Sequence, residues 1–257
     1  MADGYWDQFG ARAAVDWCEP NYAVVPWIAE FWNTLSSLVI FTVGAYGAIR
    51  WWQNRHKLEK RFGAAFVSLA VIGLGSAAFH GTLLRIPQAC DELPMIWMGL
   101  ICFYCMVTRE PETLTRVKRR WKLGLTAGSV AFTFAYFVFK DASAFVLFLL
   151  TYGAVVAYVC IMTWRIAFRE SNDRRIKRLF WWSVVAYIGG FTLFWIPERT
   201  LGCGHAFQAI EPHTLFHLTS SVGPYAWILL ATMDRLLRMR QTAEIQNRPI
   251  PFVTVPG

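Results

Sequence analysis

FGAAFVSLAVIGLGSAAFH, from Phe62 to His80, runs for nineteen residues with no charged side chain before its last position. About 20 apolar residues in a helix match the hydrocarbon thickness of a bilayer, so this stretch reads as a transmembrane helix. It closes on Ser76 and His80, four residues apart and therefore on one helix face. Six further apolar runs lie at 33–52, 94–107, 122–139, 142–164, 180–197 and 215–233. The run at 94–107 is short, and its helix is expected to reach back towards Asp91 or on past Thr108. Composition agrees: 56% of residues are hydrophobic and only 16% charged, against about 25% charge in soluble domains. The expected fold is an all-α membrane protein, a seven-transmembrane helix bundle.

Charge sets the orientation. If all seven runs cross, the 25 Lys and Arg residues divide 21 to four. One side collects the basic residues of 50–61, 109–122 and 165–178 and those from Arg235 onward; the other holds only Arg12, Arg85, Lys140 and Arg199. Cytoplasmic loops carry the basic excess, so the N-terminus is expected in the lumen or outside the cell and the C-terminus in the cytosol. The net charge of +8 is thereby accounted for as topology and attraction to anionic lipid, with no call for nucleic acid. Residues 1–30 hold no continuous apolar core of the kind a signal peptide needs. The organisation expected is a lumenal segment 1–32, a membrane domain 33–238 and a short polar cytosolic tail 239–257.

Ionisable groups inside a membrane are costly and mark function. Topology gathers several at one depth on the lumenal side: Ser76 and His80 at the end of the second helix, Asp91 at the start of the third, and His213 and His217, one turn apart, at the start of the seventh. Three histidines with an open fourth position describe a catalytic zinc site. There Asp91 would orient water and carry its proton, and Ser76 would donate to a developing oxyanion. Other roles stand beside these. Ser76 sits among Gly73, Gly75, Ala77 and Ala78, a small-residue packing stripe; Asp91 could cap the third helix. Glu92 competes for the role of Asp91, and His205 is a rival ligand. The aromatic positions Phe132, Phe134, Tyr136, Phe137 and Phe139 could line a route for an apolar substrate, contact lipid or pack.

The second constellation is DWCEPN, Asp16 to Asn21, with Glu30 nine residues on. Asp16, Glu19, Asn21 and Glu30 offer hard oxygens suited to calcium, but the spacing is not that of an EF-hand, and by spacing alone a solvated acidic segment is the better reading. Cys18, Cys90 and Cys203 fall on the lumenal side, where disulfides form. A Cys18–Cys203 bridge is expected to tie the N-terminal segment to the loop before the seventh helix.

Together these residues resemble the alkaline ceramidase family, within a superfamily of seven-helix hydrolases that includes adiponectin-receptor-like proteins. The resemblance runs from Asp16 to about Arg238. It rests on Ser-x3-His at Ser76 and His80, Asp91, His-x3-His at His213 and His217, and DWCExN followed by AEFxNT from Asp16 to Thr34. It implies zinc on His80, His213 and His217, with Ser76 and Asp91 around the activated water. It implies calcium on Asp16, the Trp17 carbonyl, Glu19, Asn21 and Glu30. The implied reaction is hydrolysis of ceramide, dihydroceramide or phytoceramide to a sphingoid base and a fatty acid. It calls for a membrane lipid substrate and no obligate protein partner. The expected location is the endoplasmic reticulum or Golgi membrane, with no retrieval signal to separate them. The competing classes are a heptahelical zinc-containing receptor, disfavoured because those receptors keep the N-terminus inside, and a hydrolase of another lipid amide or ester.

Overall fold

The computed structural model describes residues 4–139, 141–204, 209–247 and 249–256, the side chain of Asp141 excepted. His205 therefore lies outside the described residues. Each apolar run falls on one helix: α1 (Phe31–Gln53), α2 (Lys60–Thr82), α3 (Arg85–Val107), α4 (Thr115–Val138), α5 (Asp141–Arg165), α6 (Arg174–Gly190) and α7 (Pro212–Arg238). A π-helical turn, Ile166–Glu170, extends α5, and a second, Phe191–Trp195, carries α6 on into a helical turn at Ile196–Leu201. The third helix does reach back past Asp91, which stands in its second turn rather than in a cap; Leu84 is the capping position.

Among the described residues, five helical stretches are long and apolar enough to cross a membrane: Phe31–Gln53, Lys60–Thr82, Arg85–Val107, Ala142–Glu170 and Arg174–Leu201. α4 falls short because Arg116, Lys118, Arg119, Arg120 and Lys122 fill its first turns. α7 falls short for a different reason. It is the central helix, and 19 of its 27 residues are buried, so protein rather than lipid surrounds it and polar side chains are tolerated.

α1 packs on α2 and α7, α2 on α3, α3 on α5, and α6 on α7. Glycine permits the tightest of these approaches. A Cβ at Gly73 would stand 2.1 Å from Phe41 N, and one at Gly75 would stand 2.0 Å from Cys90 O. The second approach draws the Asp91 turn of α3 against the Ser76 turn of α2. α4 is the least embedded helix, burying only Tyr136.

The segment after Arg238, polar by composition, does not trail away. Glu244–Gln246 pairs antiparallel with Phe252–Thr254, and Phe252 and Val253 are buried in the main core with Phe66 and Tyr225. Tyr46 and Tyr225 donate to the Ile250 and Pro251 carbonyls at 3.0 and 2.8 Å. At the other end, residues 4–30 lie over the bundle: Ala13 N donates to Leu83 O at 2.8 Å and Ala29 N to Gly81 O at 3.0 Å. Cys18 and Cys203 are disulfide-bonded with Cα atoms 4.9 Å apart.

Candidate metal centre and its cavity

α2 ends just past His80, and α7 begins at Pro212, whose ring needs no amide partner in a first turn. Those two boundaries bring three imidazoles together. The ring of His80 lies 5.0 Å from that of His213 and 4.9 Å from that of His217, and the α7 pair are 4.5 Å apart. One nitrogen of each falls within 4.8 Å of the others. All three side chains are buried, His80 completely.

The hydrogen bonds around the rings decide what remains for a ligand. Glu30 Oε2 takes His80 Nδ1 at 2.5 Å, which leaves His80 Nε2 buried without a partner among the described residues. His217 Nδ1 is held by Ser36 Oγ at 2.9 Å and Ser37 Oγ at 3.3 Å. His213 stacks on Trp17, ring centroids 3.5 Å apart, and its Nδ1, 3.7 Å from Glu198 Oε2, is also without a hydrogen-bond partner among the described residues. Buried polar nitrogens are rarely left unpaired. Two orphaned imidazole nitrogens, with the His80 ring oriented by a carboxylate and the His217 ring by hydroxyls, make the donor set a divalent metal takes. The residues fit a divalent metal ion.

Ser76 is buried, its Oγ 2.9 Å from Ser37 Oγ. Ser76, Asp91, His213 and His217 line one cavity within the bundle, whose remaining wall is mostly apolar: Met95, Phe148, Tyr152, Phe191 and their neighbours. The lining comes from the N-terminal segment and from every helix except α4. From α4, none of the aromatic positions reaches it. Phe134, Phe137 and Phe139 are exposed, and Tyr136 is fully buried with its hydroxyl on Glu92 Oε2 at 2.7 Å. That bond also separates the two adjacent acids. Glu92 accepts from Tyr136 of α4 and, at 2.7 Å, from Gln88 Nε2 on its own helix, so both its oxygens are engaged, one of them across the α3–α4 seam. The Asp91 side chain makes no hydrogen bond among the described residues, and both acids line the cavity.

The acidic segment is built differently from the histidine cluster. Glu19 accepts from Trp32 N at 2.7 Å and Asn33 N at 2.9 Å, supplying acceptors to the open N-terminus of α1. Asn21 Nδ2 donates to both Asp16 oxygens at 3.2 and 3.1 Å. Glu30 Oε1 accepts from Trp17 N at 3.0 Å. Burial pushes the Glu30 carboxyl well above the usual range, and the neighbouring Asp16 adds to it; burial likewise raises Glu19. Glu211 is pushed to about 7 by burial and by Glu19, Glu198 and Glu30. A cation would relieve this crowding. The oxygens of Asp16, Glu19 and Glu30 are not as tightly drawn as the imidazoles, the three histidines being the one such cluster among the described residues.

Asn33, Ser36, Ser37, Gln88 and Glu198 escape a reading of single residues. For the first three a signal existed. Glu30, Asn33, Ser36 and Ser37 recur at helical spacing along an otherwise apolar helix, the pattern of a polar stripe facing the bundle interior.

Several apolar helices around a metal-competent polar centre at the head of an apolar cavity define a multi-pass membrane protein built to act on an apolar molecule. Comparison with known proteins gives the family. The Ceramidase family model matches residues 10–254. The chain is 30% identical to alkaline ceramidase 3 of Mus musculus, over 95% of this chain and 91% of that protein. It is 28% identical to alkaline ceramidase of Arabidopsis thaliana over 88% and 85%, and 24% identical to alkaline ceramidase 1 of Homo sapiens over 95% and 94%. The chain belongs to the ceramidase family and is a hydrolase.

Proposed function

We propose that this chain hydrolyses the amide bond of ceramide within the membrane, releasing a sphingoid base and a fatty acid, with zinc held by His80, His213 and His217. The observation that carries this is the pair of orphaned, buried imidazole nitrogens on His80 and His213, beside His217 at the head of an apolar cavity. Bound there, zinc supplies Lewis acidity, which polarises a carbonyl and makes water a nucleophile near neutral pH. The chain's own groups do the rest. Ser76 Oγ, steadied by Ser37, offers a hydroxyl to the charge that develops on the carbonyl oxygen. Asp91, free of other bonds, takes the proton from water and passes it to the departing amine. Met95, Phe148 and Phe191 give an alkyl chain an apolar wall.

A lipid substrate enters from the bilayer. An apolar groove between α5 and α6 is lined by Gly153, Val156, Val184 and Ile188 and shares Tyr152, Tyr187 and Phe191 with the cavity. The Tyr187–Tyr152 hydroxyl contact, 2.7 Å, stands between the two spaces. Asp16, the Trp17 carbonyl, Glu19, Asn21 and Glu30 bind calcium, which fixes the N-terminal segment over the site. All seven helices cross the membrane, with the N-terminus lumenal and the C-terminus cytosolic, in the endoplasmic reticulum or Golgi.

The test is to incubate purified protein with ceramide, dihydroceramide and phytoceramide and follow both products by mass spectrometry, with and without chelators. Hydrolysis lost on zinc chelation and restored by zinc is expected. Hydrolysis undiminished in protein shown by elemental analysis to be free of metal refutes the zinc assignment, and no hydrolysis of any of the three by the zinc-loaded protein refutes the substrate.

A further inference from the structure

At the basic end of the bundle, far from the histidines, a groove of about 590 Å³ separates α4 from α2 and α3. That is within the range of small-molecule sites, about 300–1,000 Å³. α4 is fastened on either side of it. Towards its far end Tyr136 is held by Arg85 at 2.6 Å and by Glu92; near its start Trp121 packs on Phe103, ring centroids 5.5 Å apart. Between those points the groove runs from Lys60 and Lys122 at its mouth, past Tyr104, to Leu100, Leu125 and Ser129 within the apolar depth.

The mouth is electrostatically unbalanced. Glu59, the acid among the lining residues, is taken by Arg235 Nε at 2.6 Å and Arg61 Nε at 3.0 Å, and Arg61 also donates to Thr108 Oγ1 at 2.7 Å. Lys60 and Lys122 have no carboxylate partner among the described residues; Lys122 Nζ has only the Tyr104 ring at 5.8 Å. Arg116, Lys118, Arg119 and Arg120 on the first turns of α4 raise the positive potential further. Two unpaired ammonium groups at the membrane boundary, above an apolar slot open to the bilayer, complement one molecule in its two parts: a phosphate head and an acyl chain.

We propose that this groove binds an anionic glycerophospholipid of the leaflet on the basic side, its phosphate between Lys60 and Lys122 and an acyl chain along Leu100, Leu125 and Ser129. The lipid occupies the space that protein leaves unfilled between α4 and the rest of the bundle. Basic residues at a membrane surface each strengthen anionic-lipid binding by about 5-fold, so the two lysines together contribute roughly 25-fold.

The test uses the full-length protein in nanodiscs of phosphatidylcholine with a minor share of phosphatidylglycerol, reading retained lipid by native mass spectrometry. Wild type is expected to retain phosphatidylglycerol in preference to phosphatidylcholine. Lys60→Gln/Lys122→Gln should lose most of that preference, whereas Arg119→Gln/Arg120→Gln, which removes the same charge outside the groove, should keep it. Ser129→Phe, which fills the slot and leaves both lysines, should also release the lipid and covers the case in which the double variant fails to fold. Equal retention of the two lipids by wild type overturns the proposal, as does equal loss in the two double variants. Thermal stabilisation by inorganic phosphate as large as that by phosphatidylglycerol overturns it too, because the acyl slot would then contribute nothing.

Discussion

Glu30→Gln isolates the work of one buried carboxylate beside the histidine cluster. Glu30 Oε1 accepts from Trp17 N at 3.0 Å, and Oε2 accepts from Asn33 Nδ2 at 3.2 Å and His80 Nδ1 at 2.5 Å. Glutamine keeps the volume but offers one accepting oxygen and one amide that only donates. If the oxygen stays with His80, Trp17 N faces an NH2 group. If it stays with Trp17, the His80 ring must move its proton to Nε2, the nitrogen left for a metal. Either outcome strands a buried donor, at about 1–3 kcal/mol, and loss of the partner that orients a metal-ligating histidine costs about 10–100-fold in affinity. Competitive titration of zinc against a fluorescent chelator should show a loss in that range, with turnover falling in step at limiting zinc. Added calcium should not restore it, because the defect lies at His80. Wild-type zinc affinity and turnover in the variant would refute the orienting role, and rescue by calcium alone would move the effect to the acidic segment.

The adjacent acids should separate cleanly. Asp91→Asn retains zinc and slows turnover by about 10²–10⁴-fold, while Glu92→Gln keeps turnover within a few-fold and lowers stability by about 1–3 kcal/mol through its Tyr136 and Gln88 bonds; kinetics and thermal melts on both variants check this, and the reverse pattern would assign the proton to Glu92. Cys203→Ser opens a loop of sequence separation 185 and should cost about 2–4 kcal/mol, read as a lower melting temperature that reductant imposes on wild type and not on the variant. Asp173 caps α6 by accepting from Arg175 N at 2.8 Å, so Asp173→Ala should cost about 1 kcal/mol near neutral pH. The Arg175 guanidinium holds the Asp173 carboxyl below its usual value. The cap's ionic share is therefore present above about pH 4 and fades as pH falls through the folded value, and the gap between variant and wild type should narrow in acid.

Hydropathy alone locates the helices, because a bilayer-length apolar run has few other uses, and every run recognised in the sequence overlaps one helix of the structure. The bulk of the candidate centre is legible as well. The i,i+4 spacing of His213 and His217, with His80 and Asp91 expected at the same depth, names the residues that the bundle does gather. The difference in hydrogen bonding between Asp91 and Glu92 is not legible. They are neighbours of like chemistry, and the position of Tyr136 on another helix is what engages a Glu92 oxygen across the α3–α4 seam. Glu19 is similar: read as a cation ligand, it also caps α1 from twelve residues away. The aromatic run of α4 shows the limit most plainly. Phe134, Phe137 and Phe139 are exposed while Phe145 and Phe148 of α5 face the cavity, since a phenyl ring suits lipid and core equally well and sequence period cannot say which face a helix turns inward.

What the sequence determined by itself is therefore one-dimensional: where the chain is apolar enough to be a helix, which end of each helix carries basic charge, and which side chains share a helix face. Tertiary structure alone decided which faces meet. It put α7 at the centre, folded the polar C-terminal segment into a hairpin against Phe66 and Tyr225, and set Ser36, Ser37 and Glu30 around the imidazoles. The reason is that contact between segments is fixed by close approach at positions such as Gly73 and Gly75 and by hydrogen bonds between residues as much as 204 apart in sequence, and neither is written in any local pattern.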